Sequence, residues 1–255
     1  MHIKVGTAGW TIPRQVADQF PAEGSSLERY AARLPVAEIN SSFHRPHRIS
    51  TWKRWRESTP SGFRFSAKLP KAITHQARLI DCHDAVGAFL DQAHTLRDKL
   101  SVLLVQLPPK LEMDPIAAGT FFRDLASGTD AMLVCEPRNM SWFDDKADAL
   151  LRELKVARVA ADPAICDAAA QPGGWSGVSY WRLHGSPTIY RSSYSGELGT
   201  YAAGLLGKAE EGSECWCIFD NTASSAAAGD ALALLQQLSP EFTAPAFAPV
   251  RESTA

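Results

Sequence analysis

The chain has 255 residues, 45% hydrophobic and 21% charged, and its 26 Lys and Arg against 28 Asp and Glu leave a net charge of −2. That balance excludes a disordered chain and supplies no global positive field for nucleic acid or an anionic membrane, so any anion affinity must come from a local cluster. The length suits either one large domain or two small ones.

Met1-His2-Ile3-Lys4-Val5 leads directly into strand-like sequence, with neither the basic nor the apolar region of a secretory leader. No apolar run is long enough to cross a bilayer, so a cytoplasmic protein without a membrane partner is expected. Cys82, Cys135, Cys166, Cys215 and Cys217 form no CxxC pair and read as structural thiols rather than zinc ligands.

Short apolar or β-branched runs then alternate with longer stretches of helical period, the pattern of repeated βα units around a parallel sheet. Strands are predicted at 3–8, 36–41, 63–68, 102–106, 132–136, 157–161, 178–183 and 216–219. Helices are predicted at 27–34, 50–58, 83–96, 115–126, 144–154, 198–210 and 224–237, while 162–177 offers only 165–170. Ser50 and the Asp114-Pro115 pair have the chemistry of helix starts. The segment 240–255 is proline-rich (Pro240, Pro245, Pro249) and is expected to wrap the barrel or fray. The eight strands imply a single (β/α)8 TIM-type barrel domain spanning 1–255.

Strands of a fully covered parallel sheet should be almost continuously apolar, yet several here alternate with polar residues. Period two places Arg64, Ser66 and Lys68 on one face of the third strand, Glu38 and Asn40 on one face of the second, and Tyr180, Arg182 and His184 on one face of the seventh. Helices cover the outside, so these faces should point inward. Glu38 and Arg64 are expected to form a buried structural ion pair, because a buried charge needs a partner.

The last inward position of each strand, or the first loop residue after it, yields Asn40, Lys68, Gln106, Glu136, Asp162, His184 and Asp220 or Asn221. In barrel enzymes this rim carries the chemistry. Each residue also has a structural explanation: Gln106 before Leu107-Pro108-Pro109 would satisfy a turn, and Asp162 before Pro163 would cap one. The loops add aromatic faces and cations through Phe43, His44, His75, Arg138, Trp142, Tyr190, Arg191 and Tyr194. Those loops would alternatively serve only as a cover for the barrel top.

The motifs Val5-Gly6-Thr7-Ala8-Gly9-Trp10, Glu38-Ile39-Asn40-Ser41-Ser42-Phe43, Gly62-Phe63-Arg64-Phe65-Ser66-Ala67-Lys68, Ile73-Thr74-His75, Gln106-Leu107-Pro108-Pro109, Ser141-Trp142-Phe143, Arg182-Leu183-His184-Gly185 and Phe219-Asp220-Asn221 run through nearly the whole chain. Together they make the sequence resemble the YecE-like proteins, a bacterial family of unknown function with a barrel fold. The family usually has tyrosine at His44, phenylalanine-arginine-histidine near Glu136-Pro137-Arg138, and two asparagines at Asp220-Asn221. The resemblance implies the fold and the location of the site without supplying a substrate. At the level of fold alone, its barrel looks similar to those of metal-dependent sugar isomerases and abasic-site endonucleases.

Three functions follow as expectations. The first is binding or hydrolysis of an anionic, phosphate-containing small molecule or nucleic-acid fragment. In it Glu136 and His184 would be catalytic, and Asn40, Lys68, His75, Gln106, Arg138, Trp142, Tyr190, Tyr194 and Asn221 would contact substrate, with neither metal nor cofactor. The second is a divalent-metal-dependent hydrolase or isomerase with Glu136, Asp162, His184 and Asp220 as ligands, although Lys68 and Arg182 would repel the cation. The third is a non-enzymatic nucleic-acid- or protein-binding module, against which the net charge argues. No GxSxG, P-loop or dinucleotide fingerprint is present in the sequence.

Overall fold

A computed structural model describes residues 3–238 of the chain. The proline-rich segment 240–255 lies outside the described residues. The strands are β1 (Ile3–Ala8), β2 (Val36–Ile39), β3 (Arg64–Lys68), β4 (Leu100–Gln106), β5 (Met132–Glu136), β6 (Val156–Arg158), β7 (Ala160–Asp162), β8 (Gly173–Gly174), β9 (Val178–Leu183) and β10 (Glu214–Phe219). They form one sheet in the order β7-β9-β10-β1-β2-β3-β4-β5-β6-β8.

This is the expected eight-stave α/β barrel, with one correction. The sixth stave, predicted as a continuous strand, is divided: Val156–Arg158 pairs with β5, whereas Ala160–Asp162 pairs with β9. Between them Val159 still donates its N–H to the Cys135 carbonyl at 2.8 Å. The barrel closes because one stretch of chain changes neighbours halfway along. The two-residue β8 adds an antiparallel edge to β6.

The staves alternate with α1 (Ser26–Ala31), α2 (Ile49–Glu57), α3 (His83–Ala93), α4 (Pro115–Ser127), α5 (Asp145–Glu153), α6 (Leu198–Glu210) and α7 (Ala227–Leu238). Asp114 caps α4 as expected, accepting from the Ile116 and Ala117 amides at 2.9 and 3.1 Å with proline behind it. Ser50 is no cap: α2 begins one residue earlier, after an extended Arg48, and Ser50 sits within its first turn. The helix predicted to Leu96 ends at Ala93 and tightens into a 3-10 segment, His94–Lys99, where Arg97 adopts φ 54°. The weak sixth unit contributes only a 3-10 turn, Asp167–Ala170. No helix among the described residues is long and apolar enough to cross a membrane.

The large core lies between helices and sheet, and a second apolar cluster fills the barrel itself. Val36, Val102, Leu104, Val134, Tyr180, Trp216 and Ile218 form that inner layer, with the Tyr180 and Trp216 rings stacked at 6.0 Å. Below it, Lys4 and Glu214 pair at 2.8 Å near the N-terminal mouth. Above it, the inward positions turn charged. The apolar floor thus confines polar chemistry to the C-terminal end of the staves.

Candidate functional site

Arg182, inward on β9, is the centre of the charged layer. Its Nε and Nη2 donate to the two oxygens of Glu38 at 3.0 and 2.7 Å, its Nη1 to Glu136 Oε2 at 2.6 Å, and its Nη2 also to Asp220 Oδ2 at 2.9 Å. Tyr180, one inward position below, donates its hydroxyl to Glu38 Oε2 at 3.0 Å. Arg182, Glu38 and Glu136 are fully buried, where a planar, always-charged fork with several carboxylates is the arrangement that offsets desolvation.

The expected Glu38–Arg64 pair is therefore replaced by Glu38–Arg182. Arg64 lies one layer lower, its strand position opposite Val36, and donates to the Ser61 and Phe63 carbonyls at 2.7 and 3.0 Å. It lines the N-terminal mouth beside Lys4, Asp130 and Glu214. The physical reason is reach: a partner across the barrel interior satisfied Glu38 better than one on the adjacent stave.

His184 follows Arg182 by one inward position. Its Nδ1 is 3.0 Å from Asp220 Oδ2, and its Nε2 is 3.0 Å from both Glu136 Oε1 and Arg138 Nη2. Arg138 also pairs directly with Glu136. Two hydrogen-bond states share this geometry. With both ring nitrogens protonated, the imidazole donates to Asp220 and Glu136; with Nε2 bare, it accepts from Arg138.

Burial alone would raise the Glu136 carboxyl, but Arg182, His184 and Arg138 outweigh it and hold the group well below its ordinary range. Asp220 follows the same balance, with burial opposed by Arg182 and His184, and ends below its ordinary value. Both stay ionised at neutral pH.

Lys68, at the end of β3, is only 6% exposed. Its ammonium enters no ion pair among the described residues and instead lies 4.2 Å from the centroid of the Phe43 ring. Burial, reinforced by the Arg182 charge and partly opposed by Glu38, Glu136 and Asp220, pushes its pKa down to about 8. A single π-type turn, Ala72–Gln76, also brings His75 against Phe43, with ring centroids 5.0 Å apart and the planes at 80°. Burial and the nearby Lys68 lower the His75 pKa, and its Nδ1 lies 2.9 Å from Thr74 Oγ1.

Asn40 and Gln106 sit half-buried at the ends of β2 and β4, and the Asn40 Oδ1 is buried without a partner among the described residues. Tyr190 is 44% exposed and presents its ring edge-on to His184 at 5.9 Å. Lys68, Glu136, Arg138 and His184, with Tyr190, thus gather about the upper layer.

Trp142, Tyr194 and Asn221 are braced elsewhere. Trp142 is buried and donates Nε1 to the Leu111 carbonyl at 2.9 Å, tying two rim loops together. Tyr194, equally buried, accepts from the Gly185 amide at 2.8 Å and donates to the Asp162 carbonyl at 3.1 Å. Asn221 Nδ2 donates to the Ser192 carbonyl and to Asp230 Oδ2 at 2.9 and 2.7 Å.

Sequence reasoning placed Arg182 and Tyr180 on the inward face of the seventh strand but did not count them in the site. The signal was present, since an arginine between apolar neighbours in a buried strand has to meet carboxylates. Asp220, whose role the sequence left open, joins Arg182 to His184.

The family described as "Protein of unknown function DUF72" matches residues 4–253. The UPF0759 protein YecE of Escherichia coli (strain K12) is 32% identical over 126 residues, a match spanning 49% of this chain and only 45% of that relative's length. Crystal structures of DUF72 family proteins from Enterococcus faecalis V583 and Thermotoga maritima MSB8 each superpose with a TM-score of 0.75 at 19% identity. Each covers 92% of this chain, and 94% and 98% of the respective neighbour. At that identity they show the fold alone. The chain accordingly belongs to the DUF72 family of barrel proteins.

Proposed function

We propose that the upper layer of the barrel binds a small anionic ligand, phosphate-containing, through Lys68 and Arg138, with His184 as the proton-transfer group and Asn40, His75, Gln106 and Tyr190 around the entrance. The protein is one cytoplasmic barrel domain in this reading. Hydrolysis of the bound ligand is the activity this constellation would support, His184 moving the proton while Glu136 and Asp220 orient its ring.

The observation that carries this reading is Lys68. Among the described residues every carboxylate in the layer is already held by Arg182, Arg138 or His184, whereas the buried Lys68 ammonium has no carboxylate of its own. An incoming anion would supply what the fold leaves out. The metal-dependent alternative fits less well, because Glu136 and Asp220 oxygens face guanidinium groups. Among the described residues no three His, Cys, Asp or Glu side chains converge as ligands.

The test is thermal melting of the wild type with phosphate and phosphate monoesters, and separately with Mn²⁺ or Zn²⁺. Phosphate compounds alone should raise the melting temperature. Lys68→Ala should weaken that binding by about 1.5–3 kcal/mol while the protein stays folded. A shift with metal alone would replace this reading with the metal-dependent one.

A further inference from the structure

Beside the barrel mouth, between α2, α3 and the turn 70–76, lies a cavity of about 380 Å³. It is independent of the charged layer, since neither Lys68 nor His184 lines it. The ring of Phe43 forms the partition, touching the Lys68 ammonium and also lining the cavity.

Its composition is one-sided. Phe43, Trp52, Ile73 and Phe89 provide the apolar wall. Ala85 and Ala88 lie three residues apart on one face of α3, exposed and small, and leave the space open. At the rim stand Arg45 and Lys71, both exposed, and neither forms an ion pair among the described residues. Among the described residues no aspartate or glutamate lines the cavity.

An apolar pocket within the size range of small-molecule sites, about 300–1,000 Å³, selects ligands by shape and by the few polar groups at its edge. Here the side chains of Ser42, His44, Gln76 and Gln92 stand beside Arg45 and Lys71, two cations without counter-charges among the described residues. We infer that this cavity is a second binding site, for a small amphipathic carboxylic acid whose aromatic or short alkyl body packs against Trp52 and Phe89 while its carboxylate faces Arg45 and Lys71.

The test is calorimetric titration of the full chain with 3-phenylpropionate and octanoate, with 3-phenylpropanol as the uncharged control. At least one acid should bind saturably, and the alcohol about three- to fivefold more weakly, the worth of an exposed ion pair. Ala88→Phe, which fills the cavity from an exposed helix position, should abolish binding at an unchanged melting temperature. Ala85→Leu serves the same purpose if that variant fails to fold. The double variant Arg45→Ala, Lys71→Ala should bring the acid down to the affinity of the alcohol. Lys68→Ala should leave acid binding intact, which separates this site from the anion site above. The inference is overturned if neither acid binds, if binding survives the filled cavity, or if acid and alcohol bind alike.

Discussion

Arg182 and Glu38 meet in a two-point pair inside the barrel, Nε to Oε2 at 3.0 Å and Nη2 to Oε1 at 2.7 Å, with both side chains fully buried. The same guanidinium also holds Glu136 and Asp220. Removing it leaves three buried carboxylates short of a partner. Arg182→Met is therefore expected to cost at least about 3–5 kcal/mol in urea unfolding at neutral pH. Arg182→Lys should recover little, since one ammonium cannot reproduce the planar fork. A loss below about 1 kcal/mol would show the network to be dispensable.

Lys68 should oppose folding. Its folded pKa of about 8 lies below its ordinary 10.5, so between those values the unfolded chain binds more protons and stability rises with pH. Below pH 8 the cost of the buried charge is fully present. Lys68→Met is expected to stabilise the protein at pH 7 by about 1–3 kcal/mol and to remove the component of that rise contributed by Lys68, as measured by urea unfolding at pH 7 and 9.5. A less stable variant at pH 7 would contradict the assignment.

The acidic limb has the opposite sign. Glu136 and Asp220 are held below their ordinary values of 4.5 and 3.8, so each contributes stability that is present above those values. It is lost as pH falls through the lower folded values. The urea midpoint should decline steeply below about pH 4.5. Glu136→Gln should start lower at neutral pH and decline less. Parallel profiles for wild type and variant would rule out this source of the acid sensitivity.

Gly6 is required for close approach. A Cβ there would lie 2.1 Å from the Val36 carbonyl oxygen, in the ladder joining β1 to β2. Gly6→Ala should destabilise by about 1–3 kcal/mol, as overpacking of a rigid contact does. At Gly62 nothing lies within 4 Å, so Gly62→Ala is the matched control. Equal melting temperatures for the two variants would refute the steric account.

Much of this architecture is legible in sequence because period and composition are local properties. The 198–210 helix and the 132–136 strand fall where apolar spacing puts them. Inward faces are legible for the same reason, so Lys68, Glu136 and His184 could be named from alternation alone. Partners across the barrel are not local, and Glu38 illustrates the difference: its face was readable, but whether Arg64 or Arg182 would reach it depended on closure. Trp142, Tyr194 and Asn221 show a second limit. An aromatic or amide in a rim loop has the same sequence signature whether it turns toward a ligand or back into the wall.

The divided sixth stave has a mechanical consequence. Its lower half belongs to the β5 ladder and its upper half to the β9 ladder, joined through Val159 alone. Neither ladder continues across that residue, so either half can detach without unzipping the other. Slow breathing of the barrel should therefore concentrate at this seam, where amide hydrogen exchange at Ala160–Asp162 would outpace that of β1 and β10, which share an unbroken ladder. The chain reaches the rim beside His184 from this segment, whose Asp162 carbonyl accepts the His184 amide at 2.7 Å. His184 thus sits between two kinds of support: the continuous β9–β10 ladder that carries its backbone, and a single amide bond to the upper half of the divided stave.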